Sequence, residues 1–274
     1  MKIKYLGTAA YEGVPSLFCG CETCKKSLEA GGKNLRTRSQ ALIDGQLLID
    51  FPPDTLVHSQ TYKLDWANIS NCLITHSHSD HFYIEDIGMM RHGYAMPCND
   101  FTYYSGKEVV TKIKDYIEKH SMPRVFCMQL NPYQTVEIKS KSVTHSVTAY
   151  PANHCAAQPL FYSIENNGKR LLYAHDTGVF DEQTFVFLKK EGYFNLVSLD
   201  CTGCNRFDWV DHHMGLTANV AVKNRLIKEG IADQNTIFVL NHFSHNGVAT
   251  YDEMVEAANA HSFTVSYDGL EINF

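Results

Sequence analysis

The stretch Ile69 to Phe82, ISNCLITHSHSDHF, constrains this chain more than any other. Its first half is an apolar run of the length expected for a buried strand. Its second half sets His76, His78, Asp80 and His81 directly after that strand. Side chains alternate along an extended chain, so His76 and His78 share a face and can chelate one ion. A turn there aims Asp80 and His81 at a second position beside the first. Imidazole and carboxylate suit a divalent transition metal, and two such ions about 3.5–4 Å apart form a hydrolytic unit. A fold that uses this cluster must bring further ligands to the end of the same strand.

The rest of the chain reads as alternating strand and helix signals. QALIDGQLLIDF carries apolar runs on both sides of Asp44-Gly45, LFYSIENNGKRLLYAH does so around Asn167-Gly168, and FTVSYDGLEINF around Asp268-Gly269. Each predicts a hairpin, because Asx-Gly supplies the positive φ angles of a tight turn. GKEVVTKIKDYIEKH, DEQTFVFLKKEG, TANVAVKNRLIKEG and YDEMVEAANAH have apolar residues at three- and four-residue intervals. They predict amphipathic helices, two of them ending at a glycine. Sheets flanked by such helices give a layered α/β architecture. With no long Pro/Gly/Ser linker or short-period repeat, residues 1–274 are expected to form one domain.

Composition narrows the function. A formal net charge of −6 argues against a surface devoted to polyanions, so nucleic acid is disfavoured as a partner. The N-terminal apolar run is broken by Glu12 and Pro15, which spoils a secretory signal, and no apolar stretch is long enough to span a bilayer. Nine cysteines in such a chain point to a reducing, cytoplasmic setting where thiols serve metals or packing.

Three more candidate ligands follow apolar runs: His154 in TAYPANHC, Asp176 in LLYAHDTG and His242 in TIFVLNHFSHNG. Strand ends of this kind are where an α/β sheet places its site. Taken with the first cluster, the set resembles the metallo-β-lactamase superfamily. The resemblance implies a four-layer αββα sandwich and a dinuclear centre. It assigns His76, His78 and His154 to one metal and Asp80, His81 and His242 to the other, with Asp176 bridging. Zn, Mn or Fe would all accept these donors.

FCGCETCKKS places Cys19, Cys21 and Cys24 close enough to offer three thiolates to one ion. Within the superfamily, the cyclic phosphodiesterases of the carbon-phosphorus lyase pathway are similar here, and they complete such a trio with a histidine just after the last active-site ligand. That resemblance implies a structural Zn site of Cys19, Cys21, Cys24 and His245. It also covers GVP, Asp200-Cys201 and the closing YDGLEI, and it implies a homodimer. Through the pattern His-x-x-Leu it makes His213 the group that orients phosphate or protonates the leaving group. The expected activity is metal-dependent hydrolysis of a small or cyclic phosphodiester, with Asp80 both ligating and orienting the attacking water.

Rival readings share the same cluster. A transfer-RNA 3′-processing nuclease needs a basic arm that the sequence lacks, and a lactone or β-lactam hydrolase would use the same nucleophile on a carbonyl. A non-hydrolytic protein resembling that of pyrroloquinoline quinone biosynthesis shares the cysteine knuckle and RTRSQALIDGQLLIDFPPD, but the complete His cluster argues for catalysis. His175 alternates away from Asp176 and is expected to support rather than ligate, while His58, His92, His120, His145 and His261 fit no ligand pattern. Cys201 and Cys204 have a two-residue spacing but no matching second pair, which disfavours a redox or metal role there. Arg36 and Arg38 share one side of an extended segment and are expected to be solvent-exposed. Specificity should reside in the loops 83–99 and 204–216.

Overall fold

The computed structural model describes residues 1–97 and 99–274. Its centre is a pair of seven-stranded mixed sheets. The first holds β1 (Lys2–Gly7), β2 (Gln40–Ile43), β3 (Leu47–Ile49), β4 (Asn71–Leu73), β5 (Phe101–Ser105), β6 (Val125–Gln129) and β14 (Glu271–Asn273). The second holds β7 (Thr135–Lys139), β8 (Thr144–Pro151), β9 (Leu160–Asn166), β10 (Lys169–Ala174), β11 (Leu196–Asp200), β12 (Ile237–Asn241) and β13 (Thr264–Val265). The sheet orders are β14-β1-β2-β3-β4-β5-β6 and β13-β12-β11-β10-β9-β8-β7. In each sheet one part is antiparallel and the other parallel, with the changeover at β3 and at β10.

Strand alternation explains the layering. Leu171 and Tyr173 point to the apolar layer between the sheets, and Leu172 and Ala174 to the layer outside the second sheet. That outer layer is covered by α5 (Glu182–Glu191), α6 (Leu216–Lys228) and α7 (Tyr251–Asn259), which bury Phe185, Val222 and Met254. The outer face of the first sheet is covered mainly by α4 (Lys107–His120) through Val109 and Ile113. Each such buried side chain contributes about 1.5–3 kcal/mol relative to exposure. The result is the four-layer αββα sandwich. Two further helices, α1 (Glu22–Ala30) and α2 (Thr55–Tyr62), and a single turn, α3 (Ile84–Ile87), lie in connections. Among the described residues, no helix is long and apolar enough to cross a membrane.

Two of the three expected hairpins form, β2-β3 around Asp44-Gly45 and β9-β10 around Asn167-Gly168. The third does not. β13 pairs with β12 in the second sheet, whereas β14 pairs with β1 in the first. The Asp268-Gly269 turn therefore carries the chain from one sheet to the other. Asp268 is held through its own carboxylate rather than by a ladder: it accepts from Thr8 Oγ1 at 2.6 Å and from the Thr37 backbone amide at 2.6 Å. Arg36 also departs from expectation. It is only 6% exposed, donates to Thr8 Oγ1 and Ser266 O at 2.8 Å each, and lies over the Phe243 ring. Arg38 is half-buried and pairs with Asp54 at 3.0 Å.

Candidate metal centre

The site forms where parallel strands end. β4 runs into Thr75 and His76, β10 into His175 and Asp176, β11 into Asp200, and β12 into His242. His154 follows β8 three residues after Pro151. Asp50, Asp176 and His242 all adopt positive φ (66°, 50° and 64°), sharp bends that end each strand and turn the side chain inward. Non-glycine residues hold this conformation at a cost of about 1–3 kcal/mol, and such strain clusters at functional sites.

Five imidazoles face a common centre. His76 Nε2 lies 2.9 Å from His78 Nδ1, His154 Nε2 lies 3.2 Å from the same atom, and His81 Nε2 lies 3.2 Å from His242 Nε2. The opposite nitrogens fix the tautomers, as assigned from the hydrogen-bond network. His81 Nδ1–H donates to Asp50 Oδ2 at 2.7 Å, and His154 Nδ1–H to the His212 carbonyl at 3.2 Å. His76 Nδ1–H donates to Thr75 Oγ1 at 3.0 Å, and that hydroxyl donates to Asp50 Oδ1 at 2.9 Å. His242 Nδ1–H donates to Thr202 Oγ1 at 2.8 Å, and Thr202 donates to Asp200 Oδ2 at 2.9 Å. Four rings thus present a bare Nε2 and His78 presents Nδ1, the arrangement in which supporting groups prepare ligands for a metal.

The carboxylates complete the pattern. Asp176 Oδ2 is 2.6 Å from His81 Nε2 and 3.4 Å from His76 Nε2, so it stands between the two groups of rings. Asp80 Oδ2 is 3.0 Å from His81 Nε2. Of the other oxygens, Asp80 Oδ1 is buried without a hydrogen-bond partner, and Asp176 Oδ1, also buried, has imidazole nitrogens of His213 and His242 at 3.2 and 3.4 Å but no well-aligned hydrogen bond. Such a buried oxygen costs free energy unless a donor or cation meets it. Burial would raise the Asp176 carboxyl, but the neighbouring His242 and His81 rings hold it well below the ordinary range. Donor atoms of His76, His78 and His154 form one group and those of Asp80, His81, Asp176 and His242 another, each within 4.8 Å. Bare nitrogens facing one another beside buried carboxylates fit divalent cations.

His213 and His212 separate clearly. His213 Nδ1 lies 3.2 Å from Asp176 Oδ1 and 3.3 Å from Asp200 Oδ2, and its ring borders the cavity. Burial lowers its pKa, but the Asp200 and Asp176 charges outweigh this and push it up to about 9. The His212 ring is exposed. Asp200 is fixed by the amides of Thr202 and Met214 at 3.0 and 2.9 Å. The open cavity over the centre has a volume of about 600 Å³, with Tyr11, Glu12, Trp209 and Asn246 around the histidines and acids.

A second cluster lies beside the first. Cys19 and Cys21 Sγ are 3.6 and 3.4 Å from His245 Nδ1, and with Cys24 the four donors lie within 4.8 Å. Desolvation raises the Cys21 thiol, but hydrogen bonds from the Cys24 amide and from His245 bring it down to about 6. That suits a thiolate ligand. Cys201 and Cys204 are buried, and desolvation raises both thiols, as expected of packing residues.

Among the remaining histidines, His175 is buried between Ser198 Oγ at 2.8 Å and Asn241 Nδ2 at 3.1 Å. His58 and His145 are buried with partners, whereas His92 and His261 are exposed and His120 half-exposed. Loop 204–216 supplies Trp209 and His213 to the cavity, but none of the described residues of 83–99 lines it. They border a separate, mostly apolar pocket of about 360 Å³ on the outer face of the first sheet, and Cys98 lies outside the described residues. Sequence reasoning passed over Asp50, Thr75 and Thr202. Asp50 alone carried a usable signal, an acid directly after the apolar run Leu47–Ile49.

A family model described as a β-lactamase superfamily domain matches residues 46–261. This chain belongs to the metallo-β-lactamase superfamily. Zn²⁺-bound PqqB from Methylobacterium extorquens superposes with a TM-score of 0.76 over 100% of both chains at 20% identity. A diphosphatase of the PhnP family superposes with a TM-score of 0.74 over 100% of this chain and 98% of that one, at 18% identity. These likenesses are of fold. In sequence, the exodeoxyribonuclease YycJ of Bacillus anthracis is 24% identical over 153 residues, 54% of this chain and 52% of that protein. The match thus spans about half the length of that relative. The superfamily fold implies divalent metal ions, and the donors above fit them.

Proposed function

We propose that this superfamily member is a metal-dependent hydrolase of small or cyclic phosphodiesters, working in the cytoplasm. The observation that carries the reading is the convergence of four bare Nε2 atoms and His78 Nδ1 beside the buried carboxylates of Asp80 and Asp176. His76, His78 and His154 would hold one ion, Asp80, His81 and His242 a second, and Asp176 both. Zn, Mn or Fe would each suit these donors. When bound, such a pair supplies Lewis acidity and lowers the pKa of water towards about 7. The residues of this chain do the rest. Asp80 orients the attacking water through its free oxygen. His213, held against Asp176 and Asp200, carries a proton to the leaving alkoxide, a step worth about 10²–10⁴ in rate. Cys19, Cys21, Cys24 and His245 would hold a structural Zn that fixes the N-terminal loop against the segment after β12.

The activities of two similar proteins, a diphosphatase and an exodeoxyribonuclease, both concern bonds to phosphorus, which supports the choice of phosphodiester over lactone or β-lactam. The test is a substrate panel on metal-loaded protein: bis(p-nitrophenyl) phosphate, 2′,3′-cyclic nucleotides, a chromogenic lactone and a chromogenic β-lactam. Turnover of the diesters, abolished by His76→Ala and by Asp176→Ala, is expected. Turnover of the carbonyl substrates alone would contradict the reading.

A further inference from the structure

Beyond its imidazoles, the cavity over the centre is poor in fixed positive charge for a phosphate site. Among the described residues, no Lys or Arg lines it. Arg206 donates to the Asn246 carbonyl at 3.4 Å but does not line the cavity. One lining residue is instead a carboxylate outside the groups that could hold a metal: Glu12. Its Oε1 accepts from Ser244 Oγ in a short hydrogen bond and from Asn246 Nδ2 at 3.3 Å, and lies 3.5 Å from His245 Nε2. All three contacts use one oxygen and come from the segment just after His242. Glu12 is therefore a negative charge pinned in place, with its side chain 22% exposed at the cavity wall.

Repulsion from a pinned carboxylate grows with the charge of the bound anion. A phosphodiester brings one negative charge, whereas a phosphomonoester or a diphosphate brings two or more. We infer that Glu12 is a specificity-determining residue that turns dianionic phosphate compounds away from this site and so favours singly charged diesters. This rests on the phosphodiesterase reading above, and it deepens that reading by assigning the charge selection to one side chain.

The experiment separates the two. Binding of phenylphosphonate, at a pH where it is a dianion, and of its singly charged monomethyl ester is measured by calorimetry on metal-loaded protein. Glu12→Gln should raise the ratio of dianion to monoanion affinity about tenfold, the scale of one added unit charge in a partly desolvated cleft. Asn246→Ala loosens the side chain but keeps its charge, and should move the ratio less than about threefold. An unchanged ratio in Glu12→Gln overturns the inference, as does an equal shift in Asn246→Ala, which would place the effect in loop order. If the binding ratio shifts as expected while no diester is turned over, the phosphodiesterase reading fails and what stands is the charge discrimination by Glu12 alone. If diesters are turned over and the ratio does not move, only the inference fails.

Discussion

Replacing Asp50 by Asn keeps the packing and the acceptor for Thr75, but it removes one buried negative charge and turns a donor towards His81, so it probes the support of one metal-facing imidazole. Asp50 is fully buried and accepts three hydrogen bonds: from the Thr75 amide at 2.8 Å, Thr75 Oγ1 at 2.9 Å and His81 Nδ1 at 2.7 Å. In Asp50→Asn the amide oxygen keeps the two Thr75 bonds, which leaves the NH₂ group facing His81 Nδ1–H. The donor clash is relieved when the imidazole proton moves to Nε2, the atom 2.6 Å from Asp176 Oδ2 and 3.0 Å from Asp80 Oδ2. That nitrogen then has no lone pair for a cation. Losing such support typically costs 10–100-fold in metal affinity, or about 1.4–2.7 kcal/mol. The assay is competition with a fluorescent chelator for the most weakly held ion, with circular dichroism to show an intact fold. Wild-type affinity in folded Asp50→Asn would refute the tautomer argument.

Other expectations follow from the same contacts. His213→Asn should lower kcat by about 10²–10⁴ on a diester with an alkyl leaving group and far less on one releasing p-nitrophenolate, which needs no proton; equal losses on both would remove His213 from the acid role. His58 is buried between Gln40 and Thr37, and desolvation lowers its pKa to about 4, with a small opposing effect from Asp54. The unfolded chain titrates it near 6.5, so between those values the unfolded state binds more protons and stability falls as pH falls. The contribution is fully present above about pH 6.5 and fades towards pH 4, a loss of about 3 kcal/mol. In denaturant titrations, His58→Gln should have a shallower decline over that window than wild type, and parallel curves would show that His58 is not buried neutral.

Short-range patterns carried most of what the sequence disclosed. Asp44-Gly45 and Asn167-Gly168 lie between strands long enough to pair with each other, and the local turn rule held. Asp268-Gly269 follows a strand of only Thr264–Val265, and its partners, Thr8 and Thr37, lie far away in sequence, so no local rule could reveal that the chain changes sheets there. Arg36 failed for the same reason: its acceptors are Thr8 and Ser266. The helix α1 was missed because it is short and polar, with the Cys21 thiol accepting from the Cys24 amide where Ser or Asp usually caps. At the centre, His76, His78, Asp80 and His81 were legible because they are adjacent and strand-terminal, and the structure does bring them together with His154, Asp176 and His242. Asp50 and Thr202 act through these rings from distant segments, and their role appears only once the strands are assembled.

The most direct measurement of the central claim is the metal content of purified, dialysed protein by mass spectrometry, compared with Asp176→Ala and Cys24→Ser. Three divalent ions per chain are expected in the wild type, two of them labile to chelator. Asp176→Ala should lose labile ions and keep zinc, and Cys24→Ser should lose the tightly held zinc. A wild-type protein that retains no labile ion after reconstitution, or an Asp176→Ala variant that holds them as tightly, would contradict a dinuclear centre built on these side chains.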